Sequence, residues 1–326
     1  MRRKVANLEQ RLKKPNSIQL SLFDMNGCSM GNDPRFMAWS FFAIDSKSNK
    51  NSVKFETNDI IIEASPSAIG RATQEDKAFL IYLISHMKEE LEAGVYPNQK
   101  IRVTAYDYFK KTNKPFTGYY YEKFNEMMTR LQGTNIYTNI EMGGEGIDEW
   151  FSWLKSVKVH YYKNKNGNKS VNIFEVELCD WLYNGVVGDQ TFIGYSAEYF
   201  DMSPIMQRLY EIAKVDKSND FFKIPFLYLR DLVGSTGSPK NFKTALHMCK
   251  DNNVLSDHDI EFFDVRRPDL ILDKKSKISY EHQMVVFGRR KQKNELIKFP
   301  DLREIPFWEH RVVEVIGNGG EYEMSK

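Results

Sequence analysis

Cysteine is scarce in this chain. Its 326 residues hold three, Cys28, Cys179 and Cys249, far apart and in no CxxC pair. That odd, scattered set supports no disulfide framework and fits a reducing cytoplasm. Long apolar runs are lacking as well. The longest, Ala78 to Ile84, is far too short to span a bilayer, and the N-terminus has no apolar signal core, so no membrane partner is expected. No GxxxxGK[ST] occurs, and Gly234 to Lys240, reading GSTGSPK, has the wrong spacing for a P-loop. The six histidines, His86, His160, His247, His258, His282 and His310, form no HxH and no HExxH. The HxH metal pair of rolling-circle nicking nucleases is therefore missing, despite abundant tyrosine. His258 sits between Asp257 and Asp259, but three adjacent loop residues point in different directions, which suits a solvated turn better than a metal. No enzyme class, catalytic residue, cofactor or metal is expected.

Net charge is small too. Against 44 Asp and Glu stand 46 Lys and Arg, leaving +2. The balance announces no nucleic-acid partner, but the distribution says more. The first 14 residues carry Arg2, Arg3, Lys4, Arg11, Lys13 and Lys14 against Glu9, and Arg289, Arg290, Lys291 and Lys293 form a second cluster. Basic segments flanking a near-neutral body can bind phosphate, and many are only solvated ends. What is present is a core: 41% hydrophobic residues, 13% of the chain aromatic, beside 28% charged, describe a globular protein of one large or two ordinary domains.

Periodicity divides the chain. Residues 1–35 lack a sustained pattern and read as a flexible basic tail. Met37 to Ile44 and Ile60 to Ala64 read as strands. Thr73, with Asp76 three residues on, caps a helix over 73–93 whose Leu80, Leu83, Ile84, Met87 and Leu91 share a face, and Gly94 ends it. Thr104 and Asp107 repeat the cap before a short helix. A third runs from Gly118 to Leu131, burying Tyr120, Phe124, Met127, Met128 and Leu131 and turning Tyr119, Lys123 and Arg130 outward. Strand signals follow at Asn135 to Met142, Trp153 to Tyr162 and Val171 to Leu178, the last two forming a hairpin with a basic tip over 163–169.

The same order then recurs. Ser203-Pro204 opens a helix to Lys214, Pro225 opens one to Val233, and Ser238-Pro239 opens a third to Asp251. Strand signals at Ile260 to Val265 and Ile278 to Phe287 flank the basic stretch Asp273 to Lys277. The expected fold is α+β, two tandem winged-helix domains, each a helix-turn-helix with a β-hairpin wing. The boundaries are a tail over 1–35, a first domain over 36–190, a second, DNA-reading domain over 191–293, and a C-terminal tail over 294–326.

The third helix of the second copy carries most interest. Phe242, Ala245, Leu246 and Cys249 recur at core spacing, so Lys240, Asn241, Lys243, Thr244 and His247 are expected on the outer face, behind the Ser238 cap. Lysine, asparagine and threonine can read base edges in a major groove, and a capped helix start can hold a phosphate. An ordinary amphipathic helix with solvated lysines has the same spacing. The hairpin offers Arg266, Arg267, Lys274, Lys275 and Lys277 to the DNA backbone, with Arg289 and Arg290 beyond. Lysines on an exposed edge strand equally serve to block aggregation. In the first copy Lys114, Tyr119, Tyr121 and Lys123 mark the corresponding helix start, where core and surface roles compete with sugar and phosphate contacts. In the tail, Gln19-Leu20-Ser21-Leu22-Phe23 resembles the peptide by which many bacterial proteins bind the replicative sliding clamp. Leu22 and Phe23 would enter apolar pockets while Gln19 hydrogen-bonds at the cleft edge, and Leu20 is counted with them among the clamp-binding residues.

Between residues 36 and 290 a spread of short motifs resembles the replication initiator protein A family of bacterial plasmids. They are GRATQEDKAFLIYLIS (Gly70 to Ser85), RVTAYDYFKKTNKPFTGYYYEKFNEMMTRLQGTNIYTNI (Arg102 to Ile140), VELCDWLYNGV (Val176 to Val186) and SPIMQRLYEIAK (Ser203 to Lys214). The resemblance implies a cytoplasmic bacterial protein that binds repeated sites in a plasmid origin as double-stranded DNA, promotes opening of AT-rich duplex and recruits host helicase and polymerase machinery, with a homodimer that represses its own gene. It carries no catalytic residues. The clamp-like peptide is not a constant feature of that family, and residues 294–326 match nothing in it. A transcriptional repressor without a replication role would share the domains, though not a use for the peptide. A nicking nuclease would need the missing HxH.

Overall fold

The computed structural model describes residues 41–44, 48–56, 61–139, 149–163, 169–189, 197–215, 219–252, 255, 257–291, 297–308 and 314–316. The basic tail with its Gln19 to Phe23 peptide lies outside them, as do the hairpin tip over 164–168 and most of the chain beyond 308. Strands β1 (Val53–Glu56) and β2 (Ile61–Ser65) come first. Helix α1 (Gln74–Glu92), strand β3 (Lys100–Val103), helices α2 (Ala105–Lys111) and α3 (Gly118–Gly133), and strands β4 (Asn135–Thr138), β5 (Glu149–Phe151), β6 (Leu154–Lys163) and β7 (Lys169–Leu178) follow. After the short helix α4 (Asp180–Asn184) come α5 (Pro204–Val215), β8 (Phe221–Pro225), α6 (Phe226–Val233), α7 (Pro239–Asp251), β9 (His258–Asp264), β10 (Arg267–Ile271), β11 (Gln283–Arg289) and β12 (Glu314–Ile316).

One design occurs twice. The run α1-β3-α2-α3-β6-β7 builds an antiparallel sheet in the order β3-β7-β6, and α5-β8-α6-α7-β9-β11 builds one in the order β8-β11-β9, with β10 added at the edge. In both, the strand between the first two helices pairs with the last strand. β3 and β8 are elements that periodicity overlooks: each is only four or five residues long, and β8 runs straight into α6 through Pro225. A five-stranded sheet, β12-β1-β2-β4-β5, joins the first copy.

Local chemistry explains the helix starts. The Thr73 hydroxyl accepts from Asp76 N–H while the Asp76 carboxylate accepts from Thr73 N–H at 2.7 Å, a complete capping box. Thr104 accepts from Asp107 N–H at 3.0 Å, and Ser238 from Asn241 N–H at 3.3 Å. Gly234 ends α6 in the left-handed region (φ 77°), turning the chain toward α7. The core is continuous across both copies, from Phe41 through Phe79, Leu83, Trp153 and Leu209 to Phe226, Leu246 and Phe262, all buried.

α1 and α5, the first helix of each copy, meet through a buried ionic cluster. Glu211 accepts from Lys77 Nζ at 2.6 Å, Tyr199 Oη at 2.6 Å, Gln74 Nε2 at 2.8 Å and, on its other oxygen, an Arg208 guanidinium nitrogen at 2.6 Å. Burial pushes the Glu211 carboxyl up, but the two cations more than offset it and leave it below its ordinary value. At Lys77 burial is the larger effect, Arg208 adds to it and Glu211 opposes it, which holds the ammonium at about 8.

Several expectations are corrected. Residues 41–44 form bends with a single bridge from Ala43 to Thr73, not a strand. Their apolarity serves packing, since Phe41 and Phe42 lie 5.5 and 5.0 Å from the Trp153 ring. The strand expected from Ile278 begins only at Gln283, after a 3-10 turn over Tyr280–His282. Arg130 is not turned outward. It forms a bidentate ion pair with Asp76, both nitrogens at 2.7 Å, tying α3 to the cap of α1. The described part of the C-terminal region is not a tail: Leu302, Ile305 and Trp308 are buried, and Lys223 Nζ donates to Leu302 O at 2.8 Å. β12 then pairs with β1, so this segment straps the second copy's sheet to the first. Among the described residues, no helix is long and apolar enough to cross a membrane.

Candidate nucleic-acid interface

The start of α7 is where two requirements meet, a capped helix end and exposed polar side chains. Phe242, Leu246 and Cys249 are buried against the core and Ala245 is half-buried, as the spacing requires. Ser238, Lys240, Asn241 and Thr244 are exposed, and the Thr244 hydroxyl donates to Lys240 O at 3.1 Å.

Lys243 and His247 do not belong to that open face. Lys243 is buried, its ammonium 5.8 Å from the centre of the Phe262 ring, and burial, opposed by Asp273, lowers its pKa. His247 packs on the same ring at 4.6 Å, and burial, then Lys243 and Lys274, lower its pKa. Among the described residues neither ring nitrogen of His247 has a hydrogen-bond partner. Lys274 pairs with Asp251 at the end of α7, so the segment after β10 folds over the stripe formed by Lys243, His247 and Asp251. Helical spacing alone cannot tell an open flank from one covered by a later loop. The open stripe is instead Lys240, Thr244 and Met248 at four-residue steps, with Asn241 beside it. Met248, half exposed, was overlooked although the same spacing identifies it.

The hairpin cations divide in the same way. Arg266 is held by a bidentate bond to the buried Asp264, at 3.1 and 3.0 Å, and this contact keeps the Asp264 carboxyl below its ordinary range. Arg290 pairs with Asp259, is largely buried and its N–H donates to Asp257 O. Arg289 is half-buried and its N–H donates to Asp220 O at 2.8 Å, which places it at the root of the sheet. Arg290 and Arg289 thus lock the end of β11. Arg267, Lys275 and Lys277 are exposed. His258 is no solvated turn: it is buried at the start of β9, and burial holds its imidazole down at about 4. Its neighbours serve separate ion pairs, Asp257 with Lys214 and Asp259 with Arg290. Among the described residues no three His, Cys, Asp or Glu side chains gather as metal ligands.

The corner between α2 and α3 of the first copy is different in kind. Lys114 donates to Phe200 O at 3.3 Å, and Lys123 pairs with Glu126 at 2.8 Å while lying 5.7 Å from the Tyr119 ring. Tyr119 and Tyr121 are exposed rather than packed, and so are Tyr106 and Phe116, which composition gave no reason to single out. Thr117, the residue before α3, makes no side-chain cap.

Comparison with known proteins matches this sequence to replication proteins. The family described as replication initiator protein A matches residues 32–260. The "Putative replication protein" of Wigglesworthia glossinidia brevipalpis is 30% identical over 268 residues, covering 78% of this chain and 95% of that one. Two crystal structures of domains 2 and 3 of RctB share the fold, with TM-scores of 0.57 and 0.53 at 11% identity. They cover 80% and 73% of this chain, and 99% and 91% of theirs. On the extent of the family match and the near full-length relative, the chain belongs to the replication initiator protein A family.

Proposed function

We propose that this protein starts plasmid replication by binding repeated sites in an origin duplex with the open face of α7. Each copy of the repeated design is then a winged-helix module, the first over 36–190 and the second over 191–293. The observation that carries this reading is the exposed stripe of Lys240, Asn241 and Thr244 behind the Ser238 cap, in a chain of the replication initiator family. In a helix-turn-helix the second helix enters the major groove N-terminus first, which is where these residues lie. Lysine can donate to guanine O6 and N7, asparagine can pair with adenine, and a threonine methyl can meet a thymine. Arg267, Lys275 and Lys277 on and after β10 supply the backbone contacts that set register without reading sequence.

Binding at the origin is the first step of three in this proposal, followed by opening of AT-rich duplex and recruitment of host helicase and polymerase. The Gln19 to Phe23 peptide would engage the sliding clamp, and a homodimer would repress the gene. The test is plasmid maintenance in a bacterial host from an origin fragment, with this protein supplied in trans. Maintenance that is lost in the Lys240→Ala, Asn241→Ala double variant supports the proposal. Tight repeat binding with no maintenance would leave a transcriptional repressor instead.

A further inference from the structure

The two helix-turn-helix corners share a topology and differ in surface chemistry. In the second, the turn before α7 and its first residues are Ser235, Thr236, Gly237, Ser238, Pro239, Lys240 and Asn241, with no aromatic side chain among them. In the first, the same stretch presents Phe116, Tyr119 and Tyr121, joined by Tyr106 from α2. These four aromatics are between 42% and 61% exposed. They form one surface, organised around the buried Phe109. Phe116 and Tyr121 lie 6.4 and 5.1 Å from the Phe109 ring, Tyr106 stacks on Phe116 at 4.9 Å, and Tyr119 reaches Phe109 through Tyr120. A soluble chain seldom leaves so much aromatic surface open at one corner without a use for it.

The charge around this surface is mainly positive. Lys110 and Lys111 are exposed on α2, Lys111 over the Tyr82 ring, while Lys123 lies against Tyr119 and is paired with Glu126, and Glu122 is exposed beside them. Asp107 is engaged by the Tyr82 hydroxyl at 2.5 Å. Rings flanked by lysines suit a ligand with flat faces and a phosphate backbone. In duplex DNA the base faces are stacked on one another, so rings at a groove meet only base edges; in a single strand the faces are open.

From this contrast we propose that the α2–α3 corner of the first copy binds single-stranded DNA, stacking bases on Tyr106, Phe116, Tyr119 and Tyr121 with Lys110 and Lys111 on the backbone. The division of labour rests on the proposed reading of α7: one corner holds duplex, the other holds a strand released from it. Base–aromatic stacking contributes about 1–3 kcal/mol per base, so each lost ring should weaken binding by about 5- to 150-fold.

The test measures fluorescence anisotropy of labelled oligo(dT) and, separately, of a duplex carrying the repeat, using the full-length protein. Tyr119→Ala with Tyr121→Ala should weaken oligo(dT) binding at least tenfold and leave the duplex within twofold. Tyr119→Phe with Tyr121→Phe keeps the rings and should bind as the unaltered protein does. A strand containing 5-bromouracil should photocrosslink to a peptide spanning this corner. Unchanged oligo(dT) affinity in the alanine variant overturns the proposal. So does an equal loss on strand and duplex, which would make the corner a second duplex reader. Failure of the unaltered protein to bind oligo(dT) also overturns it and leaves the aromatic surface to a protein partner. Loss of repeat recognition in Lys240→Ala with oligo(dT) binding intact separates the two proposals. A protein that binds oligo(dT) but no repeat sinks the α7 reading alone.

Discussion

The buried cluster between α1 and α5 makes an asymmetric prediction about stability. Glu211 is shared by two buried cations, Lys77 and Arg208. The cost of burial shows at Lys77, whose pKa drops from 10.5 to about 8 because burial, helped by Arg208, outweighs the attraction of Glu211. Keeping Lys77 charged at neutral pH therefore costs about 3 kcal/mol. Glu211→Gln should destabilise by about 3–5 kcal/mol, because it removes the carboxylate that two buried cations share. Lys77→Met keeps the aliphatic stem, removes the costly buried charge and leaves Arg208 with Glu211. It should cost no more than about 1 kcal/mol, within the range for a well-packed apolar replacement of a buried charge. The pH dependence has a definite sign. Between about 8 and 10.5 the unfolded chain holds the Lys77 proton and the folded chain does not, so stability from this group rises with pH across that window. Urea unfolding followed by tryptophan fluorescence at pH 7 and pH 9.5 measures both effects. The gap between the unaltered protein and Lys77→Met should move by about 2 kcal/mol in favour of the unaltered protein at the higher pH. A Lys77→Met loss as large as that of Glu211→Gln, or a gap that ignores pH, refutes the charge assignment.

Three further outcomes follow from named contacts. Lys243→Met should leave repeat affinity within twofold, because Lys243 is buried on Phe262, whereas Lys240→Ala should cost about 1–3 kcal/mol in a mobility-shift titration. Asp76→Asn weakens both the α1 capping box and the bidentate Arg130 contact, and should cost about 3–5 kcal/mol in thermal or urea unfolding. Leu302→Ala and Ile305→Ala should each cost about 2–5 kcal/mol, where a solvated C-terminal tail would show no change in the same assay.

Legibility in the sequence followed the strength of local signals. Helices α1, α2, α3, α6 and α7 could be placed within a residue or two because caps and apolar spacing agree at Thr73, Thr104, Ser238 and Gly234. β3 and β8 were not legible, since four or five residues hold too few alternations, and Lys223 interrupts β8 with a buried cation. The strap over 297–308 is rich in apolar residues, among them Leu302, Ile305 and Trp308, but Pro300 and Pro306 break it up and it has no sustained helical or alternating period to identify an element. The outer face of α7 was half legible. Periodicity separates core from surface, but the covering of Lys243 and His247 depends on a loop some thirty residues later, beyond any local window. The hairpin arginines were misleading for two reasons: Asp259, which occupies Arg290, is a partner that only the sheet brings close, whereas Asp264, which occupies Arg266, lies two residues away and pairs locally.

The most direct test of the central claim is competition binding over a series of salt concentrations. A labelled duplex carrying the repeat from DNA beside the gene is set against a shuffled duplex, for the unaltered protein and for Lys240→Ala with Asn241→Ala. The account predicts a preference for the repeat of about 10³-fold or more, affinities for both duplexes that fall steeply with salt, and a double variant that keeps the shuffled-duplex affinity while losing most of the preference. Equal affinity for both duplexes at every salt concentration, or a preference untouched by the two substitutions, would contradict it.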